Sequence, residues 1–289
     1  MDVLVAGGTG CLGRALCREL AECGHGVTSM ARSPDAVALP PGVETVAADV
    51  TDPDLTGVVD GHDAVVNLVA LPSHVSPRGA DHEAVHRDGT ATLVAAAEAT
   101  GVGRFVQSSA LGVDSDVDTA YFRAKRGAER VVRGAALEWS ILRPSVVFGD
   151  GCAFFPFLRR FFALGVAPLP GGGRIRLQPI WVGDLAPMLA DCATDPVHAG
   201  RTYRLGGPEV LTLAEVAECV CGDPVVVPLP DTLAAALFAL AEPVPFVPFD
   251  RDQYRVFALD NTVTENDAVA FGVDPASLRT VRQYLSGEG

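Results

Sequence analysis

The sequence predicts an α/β fold built on a doubly wound parallel sheet, and three observations carry that expectation. Short, almost wholly apolar runs recur along the first two hundred or so residues, helix-patterned segments separate them, and a cluster of glycines joins the first run to the first helix. Strands buried on both faces read as continuous apolar runs, and each parallel crossover needs a helix. This is the Rossmann-type arrangement, here followed by a smaller C-terminal lobe.

Asp2–Ala6 is the first strand, ended by Gly7-Gly8-Thr9-Gly10, and Cys11 to Cys23 is the first helix. Val27 to Met30, Val43 to Ala47, Ala64 to Val69 and Arg104 to Gln107 are the next four strands. Glu83 to Thr100 reads as an alanine-rich helix stopped by Gly101, and Thr119 to Arg133 as another. Trp139 to Leu142 is a strand that Pro144 should stop. Ile180 to Val182 is strand-like, a helix starts at Asp184, and Arg201 to Leu205 returns to the sheet. Helices are expected near 212–221, 231–241 and 275–285, with a proline-rich stretch at 243–248. These elements divide the chain into a dinucleotide-type domain over 1–150, rejoined by 179–207, and a smaller lobe from 151–178 and 208–289.

The chain has 289 residues and a formal net charge of −14, which argues against nucleic-acid binding because no basic stripe is visible. No apolar run is long enough to span a bilayer, and the N-terminus does not read as a secretory signal. A cytoplasmic protein is the expectation. The 7 cysteines are odd in number and lack zinc-type spacing, so they read as reduced, small apolar side chains, with no metal site. Lys125 is the one lysine beside many arginines. Genome composition explains that bias, and so does adaptation to high salt, where carboxylates keep a surface hydrated.

Gly8-x-Gly10-x-x-Gly13 and Gly7-x-x-Gly10-x-x-Gly13 both fit a phosphate-binding turn between strand and helix. Glycines allow the tight turn and the close approach of a pyrophosphate to the helix N-terminus. Past the second strand stand Met30, Ala31 and Arg32, with no acid until Asp35. An acid there would bind the ribose hydroxyls of NAD(H), whereas a guanidinium suits a 2′-phosphate, so NADP(H) is favoured over NAD(H). A solvated loop arginine would look the same. Asp49, beside Val50, could accept from an adenine amino group or cap the segment at Thr51.

Tyr121 and Lys125 share a helical face four residues apart. A lysine cation and an oxidised nicotinamide would both favour tyrosinate, making the phenol a proton carrier for a carbonyl or alcohol. Ser108 and Ser109, at the end of the fifth strand, are placed to bond the same oxygen. A packed tyrosine beside a solvated lysine is the plainer alternative.

Together, Val5 to Gly13, Asp63-Ala-Val-Val-Asn67, Gly89-Thr90, Phe105 to Ala110, Tyr121 with Lys125, Leu142 to Gly149, Gln178 to Ala186 and Tyr203 to Pro208 resemble the extended and atypical short-chain dehydrogenase/reductases. Within that group the chain looks most like the branch of the NADPH-binding accessory subunit of respiratory complex I and its prokaryotic relatives. The resemblance implies that Gly7, Thr9, Gly10, Leu12 and Gly13 hold the pyrophosphate and that Arg32 reads the 2′-phosphate. It implies that Val69 and Ala70 line the adenosine side, that Tyr121 and Lys125 meet the nicotinamide ribose, and that Pro144 and Val147 border the nicotinamide. Cys11, Asp49 and Val50 are also counted among the cofactor-binding residues. Tyr121, Lys125 and Ser109 would then be catalytic in an oxidoreductase acting on a carbonyl or alcohol.

Two other functions stay open. One is a non-catalytic NADPH-binding accessory subunit or redox sensor of a respiratory complex. The other is a sugar-nucleotide epimerase or dehydratase with retained NAD. Leu111-Gly112 stands where epimerases usually carry Tyr-Gly, and the stretch from Ser109 to Tyr121 is short for a sugar-nucleotide loop. The phenylalanines at 154, 155, 157, 161 and 162 could pack a core or form a lid for a quinone- or isoprenoid-like molecule. Membrane contact would be peripheral at most, and a protein partner or homodimer is compatible with the apolar helix faces. His82 and His86 share a face at metal-ligand spacing, with His74 nearby, but no third ligand accompanies them; a cofactor-side or surface role fits better.

Overall fold

The computed structural model describes residues 1–71, 81–162, 165–222, 224–230 and 259–287, with the single residues 232 and 255. A seven-stranded sheet forms its centre. In chain order the strands are β1 (Asp2–Ala6), β2 (Gly26–Ala31), β3 (Val43–Ala47), β4 (Ala64–Asn67), β5 (Arg104–Ser108), β6 (Glu138–Pro144) and, near the end, a strand at Arg201–Leu205. All neighbours are parallel, and the spatial order is Arg201–Leu205, β6, β5, β4, β1, β2, β3. The order reverses between β1 and β4, so a crevice opens at their carboxyl ends, where ligands bind in such sheets.

Burial explains the central strands. Val3, Leu4, Val5 and Ala6 of β1, and Ala64, Val65 and Val66 of β4, are fully buried. One face packs on α1 (Cys11–Glu22) and a helix at Val182–Thr194, through Leu16, Leu20, Leu185 and Leu189. The other packs on α2 (Thr56–Val59), α3 (Gly89–Thr100) and α4 (Ala120–Gly134), through Val59, Leu93, Ala97 and Val132. A third core lies away from the central sheet. There α5 (Phe154–Phe161) packs on a helix at Leu213–Cys221 and a two-stranded ribbon, Val166–Pro170 with Val225–Leu229. Phe155 and Phe162 are buried in that core and Phe154, Phe157 and Phe161 pack against it, so the phenylalanine cluster is core rather than a free lid.

Several boundaries differ from expectation for local reasons. β4 stops at Asn67 rather than Val69, because the Asn67 side chain accepts from Val69 N at 3.1 Å and turns the chain. β6 runs past the expected Leu142 and ends on Pro144, which is in register with Leu205 and whose carbonyl accepts from Leu111 N. The long helix after β4 is two pieces, a π-helical turn over Glu83–Asp88 running into α3. The last helix begins at Val281, where Thr280 and Gln283 form a capping box; Pro275–Ser277 is a separate 3-10 turn. The expected helix near 231–241 and the proline stretch at 243–248 lie outside the described residues. Among the described residues, no helix is long and apolar enough to cross a membrane.

The cysteine expectation is corrected: Cys11 and Cys152 form a disulfide across 141 positions of sequence, with Cα atoms 4.9 Å apart. Cys17, Cys23, Cys192, Cys219 and Cys221 are free thiols.

Candidate functional site

The crevice begins at the loop between β1 and α1. Gly7 adopts φ +84°, a left-handed conformation open to glycine, and its N–H donates to Met30 O on β2. A Cβ on Gly13 would run into Gly7 O and the Gly8 backbone, so α1 packs against the loop only because Gly13 lacks one. Gly10 is the N-cap of α1 and offers no side chain to the first-turn amides. Those amides and the positive helix end are the donor set that a pyrophosphate needs. By that test the loop fits a dinucleotide.

A cavity of about 450 Å³ runs from this loop over the ends of β2, β3 and β4. Of the residues expected to bind cofactor, Gly7, Thr9, Gly10, Arg32, Asp49, Val50, Val69 and Ala70 line it. The lining also includes Thr51, Leu71, Ala84 and Val85, which no sequence motif marked. Arg32 is largely exposed, with its Nε 3.8 Å from Asp49 Oδ2. The other carboxylate oxygen of Asp49 accepts from both the backbone N–H and the hydroxyl of Thr51. Asp49 therefore caps its own turn and holds Arg32 at the cavity's rim. Cys11, Leu12 and Gly13 form the helix start rather than the cavity wall. Pro144, at the carboxyl end of β6, and Val147, opening a short strand beside Ile180, stand apart from the cavity's lining.

Tyr121 and Lys125 lie on α4, whose start is fixed by the Thr119 side chain accepting from Phe122 N. The Lys125 Nζ is 5.9 Å from the Tyr121 ring centre and donates to Ser108 O at 3.1 Å. Two histidines complete the cluster. The His82 and His86 rings stack 5.6 Å apart, and both meet the Tyr121 ring edge-on, at 5.7 Å and 5.6 Å. His86 is buried, with Nε2 3.3 Å from both N and O of Leu71, a residue of the cavity wall. The histidines thus link the tyrosine to the cavity. Their spacing in the sequence shows the shared face, but Tyr121 as its partner could not be read there. His74 lies outside the described residues.

Burial sets the protonation states. It pushes the Tyr121 phenol up to about 12. Burial also brings the Lys125 ammonium down to about 8, against the pull of the Glu129 carboxylate. His86 is driven down to about 2 by burial, then by the charges of Lys125 and His82, and the Leu71 backbone contact opposes this only weakly. At neutral pH the cluster therefore holds a protonated phenol, a mostly charged lysine and a neutral histidine.

Ser109 is placed elsewhere. Its hydroxyl donates to Glu129 Oε1 at 2.6 Å, inside a buried network in which Arg143 donates through Nε and Nη2 to the same carboxylate and Arg133 pairs with it at 2.9 Å. The expected bond from Ser109 to a substrate oxygen beside Tyr121 competes with this buried arrangement. Only Ser108, whose carbonyl holds Lys125, meets the cluster directly. Below it, Asn67 donates to Thr90 and Gln107, a polar network that ties β4, α3 and β5 together.

A doubly wound sheet, a glycine loop on an uncapped helix start and a cavity at the switch point define a dinucleotide-binding α/β protein. The comparisons specify it further. The NAD(P)H-binding family matches residues 7–151. Subunit 9 of the mitochondrial NADH dehydrogenase [ubiquinone] 1 alpha subcomplex of Arabidopsis thaliana is 31% identical over 91% of this chain and 71% of its own length. The 2-alkyl-3-oxoalkanoate reductase of Stenotrophomonas maltophilia is 31% identical over 75% of this chain and 73% of its own. The chain belongs to the NAD(P)H-binding family, within the short-chain dehydrogenase/reductase and epimerase-like superfamily. Among solved structures, a nucleoside-diphosphate-sugar epimerase of Staphylococcus aureus shares the fold over 99% of both chains, with a TM-score of 0.76 and 18% identity. A short-chain dehydrogenase/reductase superfamily protein of Agrobacterium tumefaciens, with bound NAD, covers 80% of this chain and 86% of its own, with a TM-score of 0.66 and 25% identity.

Proposed function

We propose that the protein is an NADP(H)-dependent reductase of a carbonyl on a small, largely apolar molecule. The observation that carries this reading is the cluster adjoining the cavity, in which Lys125 and His86 are buried and Tyr121 and His82 half-buried. Its phenol is protonated at neutral pH, the form in which it can give a proton to a developing oxyanion, and the Lys125 cation lies 5.9 Å from its ring centre. A nicotinamide cofactor supplies the hydride when bound. Tyr121 donates its proton to the carbonyl oxygen as negative charge develops there, and the Lys125 cation steadies the tyrosinate left behind. His86 keeps the ring in place. The half of the cavity beside Arg32 takes the adenosine end, with the guanidinium directed at a 2′-phosphate.

A second reading, a non-catalytic NADPH-binding subunit, is favoured by one observation: the Ser109 hydroxyl is committed to Glu129. The 31% identity to a plant respiratory-complex subunit adds to it. Tyr121→Phe separates the two. As a reductase, the wild type consumes NADPH with members of a ketone, aldehyde and quinone panel, and the variant loses at least about 100-fold in rate. Dinucleotide affinity should change little in that variant. Consumption that is equal in both proteins would remove the tyrosine from the chemistry, and no consumption by the wild type would favour the accessory-subunit reading.

A further inference from the structure

Cys11 is the first residue of α1, directly behind Gly10 in the phosphate loop. Cys152 lies in the turn that leads from Gly149 and Gly151 into α5 of the second lobe. Their bond is thus a covalent tie between the loop that would hold a pyrophosphate and the first turn of the lobe beyond it. The two sulfurs sit in unequal surroundings. Cys152 is only 6% exposed, whereas Cys11 lines a second cavity of about 550 Å³, together with Arg14, Arg18, Asp150 and Trp181. That space admits a small thiol.

Two features favour a thiolate at Cys11 once the bond is open. It stands at the positive end of a 12-residue helix with no side-chain cap. Arg14, one turn on, reaches the Cys152 loop through Nη2 to Asp150 O at 3.4 Å, and its buried Nε has no hydrogen-bond partner among the described residues. An accessible, stabilised thiolate beside a buried second thiol is the arrangement of an attacking cysteine with its resolving partner.

We propose that Cys11 and Cys152 are a reversible redox site, exchanging with small thiols and disulfides, whose closed form holds dinucleotide more tightly. The second half of this statement rests on the function proposed above. In closing, the Cys11 thiolate attacks a small disulfide RSSR, giving Cys11–S–S–R and releasing RS⁻. The Cys152 thiol loses its proton to solvent and attacks the Cys11 sulfur, which expels the second RS⁻. The two protein thiols lose two protons and two electrons, and RSSR becomes two RSH. Opening runs the same steps backwards. Opening frees the start of α1 and leaves a negative sulfur at the helix end that a diphosphate would occupy, so affinity falls.

The test uses the full chain poised in oxidised or reduced glutathione, with alkylation and peptide mass mapping for the bond and NADPH titration for affinity. The expected results are a Cys11–Cys152 peptide pair that forms and opens reversibly, and NADPH binding about tenfold weaker in the open form, the factor made by 1.4 kcal/mol. Cys152→Ser should bind like the open wild type in reduced glutathione, and in oxidised glutathione it should stop at the Cys11–glutathione mixed disulfide. Absence of the Cys11–Cys152 pair under oxidation overturns the redox site and leaves the dinucleotide reading standing. A reversible pair with equal NADPH affinity in both forms overturns the coupling. A reversible pair with no affinity for NADPH or NADH in either form overturns the dinucleotide reading and the coupling together.

Discussion

His86 is the side chain through which acid should destabilise this fold. It is 2% exposed, contacts the Leu71 backbone, stacks on His82 and meets the Tyr121 ring edge-on. Burial holds it near 2, while in the unfolded chain an imidazole titrates near 6.5. Between these values the unfolded state binds a proton that the folded state refuses, so stability rises with pH and is lost as pH falls below 6.5. At about pH 5 the unfolded chain has gained roughly 1.5 pK units of protonation, or about 2 kcal/mol at 1.36 kcal/mol per unit. His86→Gln keeps a polar group near Leu71 but does not titrate. Urea unfolding of both proteins at about pH 7.5 and about pH 5 isolates the contribution from that of other groups. The wild type should lose about 2 kcal/mol more than the variant over this interval. Equal losses would refute the argument, because His86 would then be taking up its proton in the folded state.

Two further substitutions probe the frame around the site. Glu129→Ala leaves the buried Arg143 with only Asp114 as a carboxylate partner and should cost about 3–5 kcal/mol in urea unfolding; a cost near zero would mean that Asp114 suffices. Gly13→Ala drives a methyl into the Gly7 carbonyl, so stability should fall by about 1–3 kcal/mol and dinucleotide binding should weaken with it. Unchanged binding in that variant would detach the loop geometry from the ligand.

How much of this was legible in the sequence depended on range. β1 and β4 are buried on both faces, so their apolar runs announce them, and the glycine spacing marks the loop because strand and helix flank it. Boundaries were set by side chains acting on nearby backbone, as Asn67 does on Val69 and Thr280 on Gln283, and these shift an end by a few residues without changing the pattern. The disulfide escaped reading because its cysteines stand 141 residues apart with no pairing motif. The partner of Ser109 escaped reading for a related reason. Strand-end position shows that a serine is near the crevice, but only the approach of α4, bringing Glu129 under it, decides which way its hydroxyl is used. The histidine pair was visible as a helical face, while its contact with Tyr121 required α4 and the π-helical turn to pack together.

In the proposed function the crevice binds a dinucleotide and Arg32 selects the phosphorylated form. Calorimetric titration of the wild type and of Arg32→Ala with NADPH and NADH tests it most directly. The expected result is tighter binding of NADPH by the wild type, and loss of that preference in the variant, by about tenfold for a charge-assisted contact near 1.5 kcal/mol. Equal or tighter binding of NADH by the wild type, with no effect of the substitution, would contradict it.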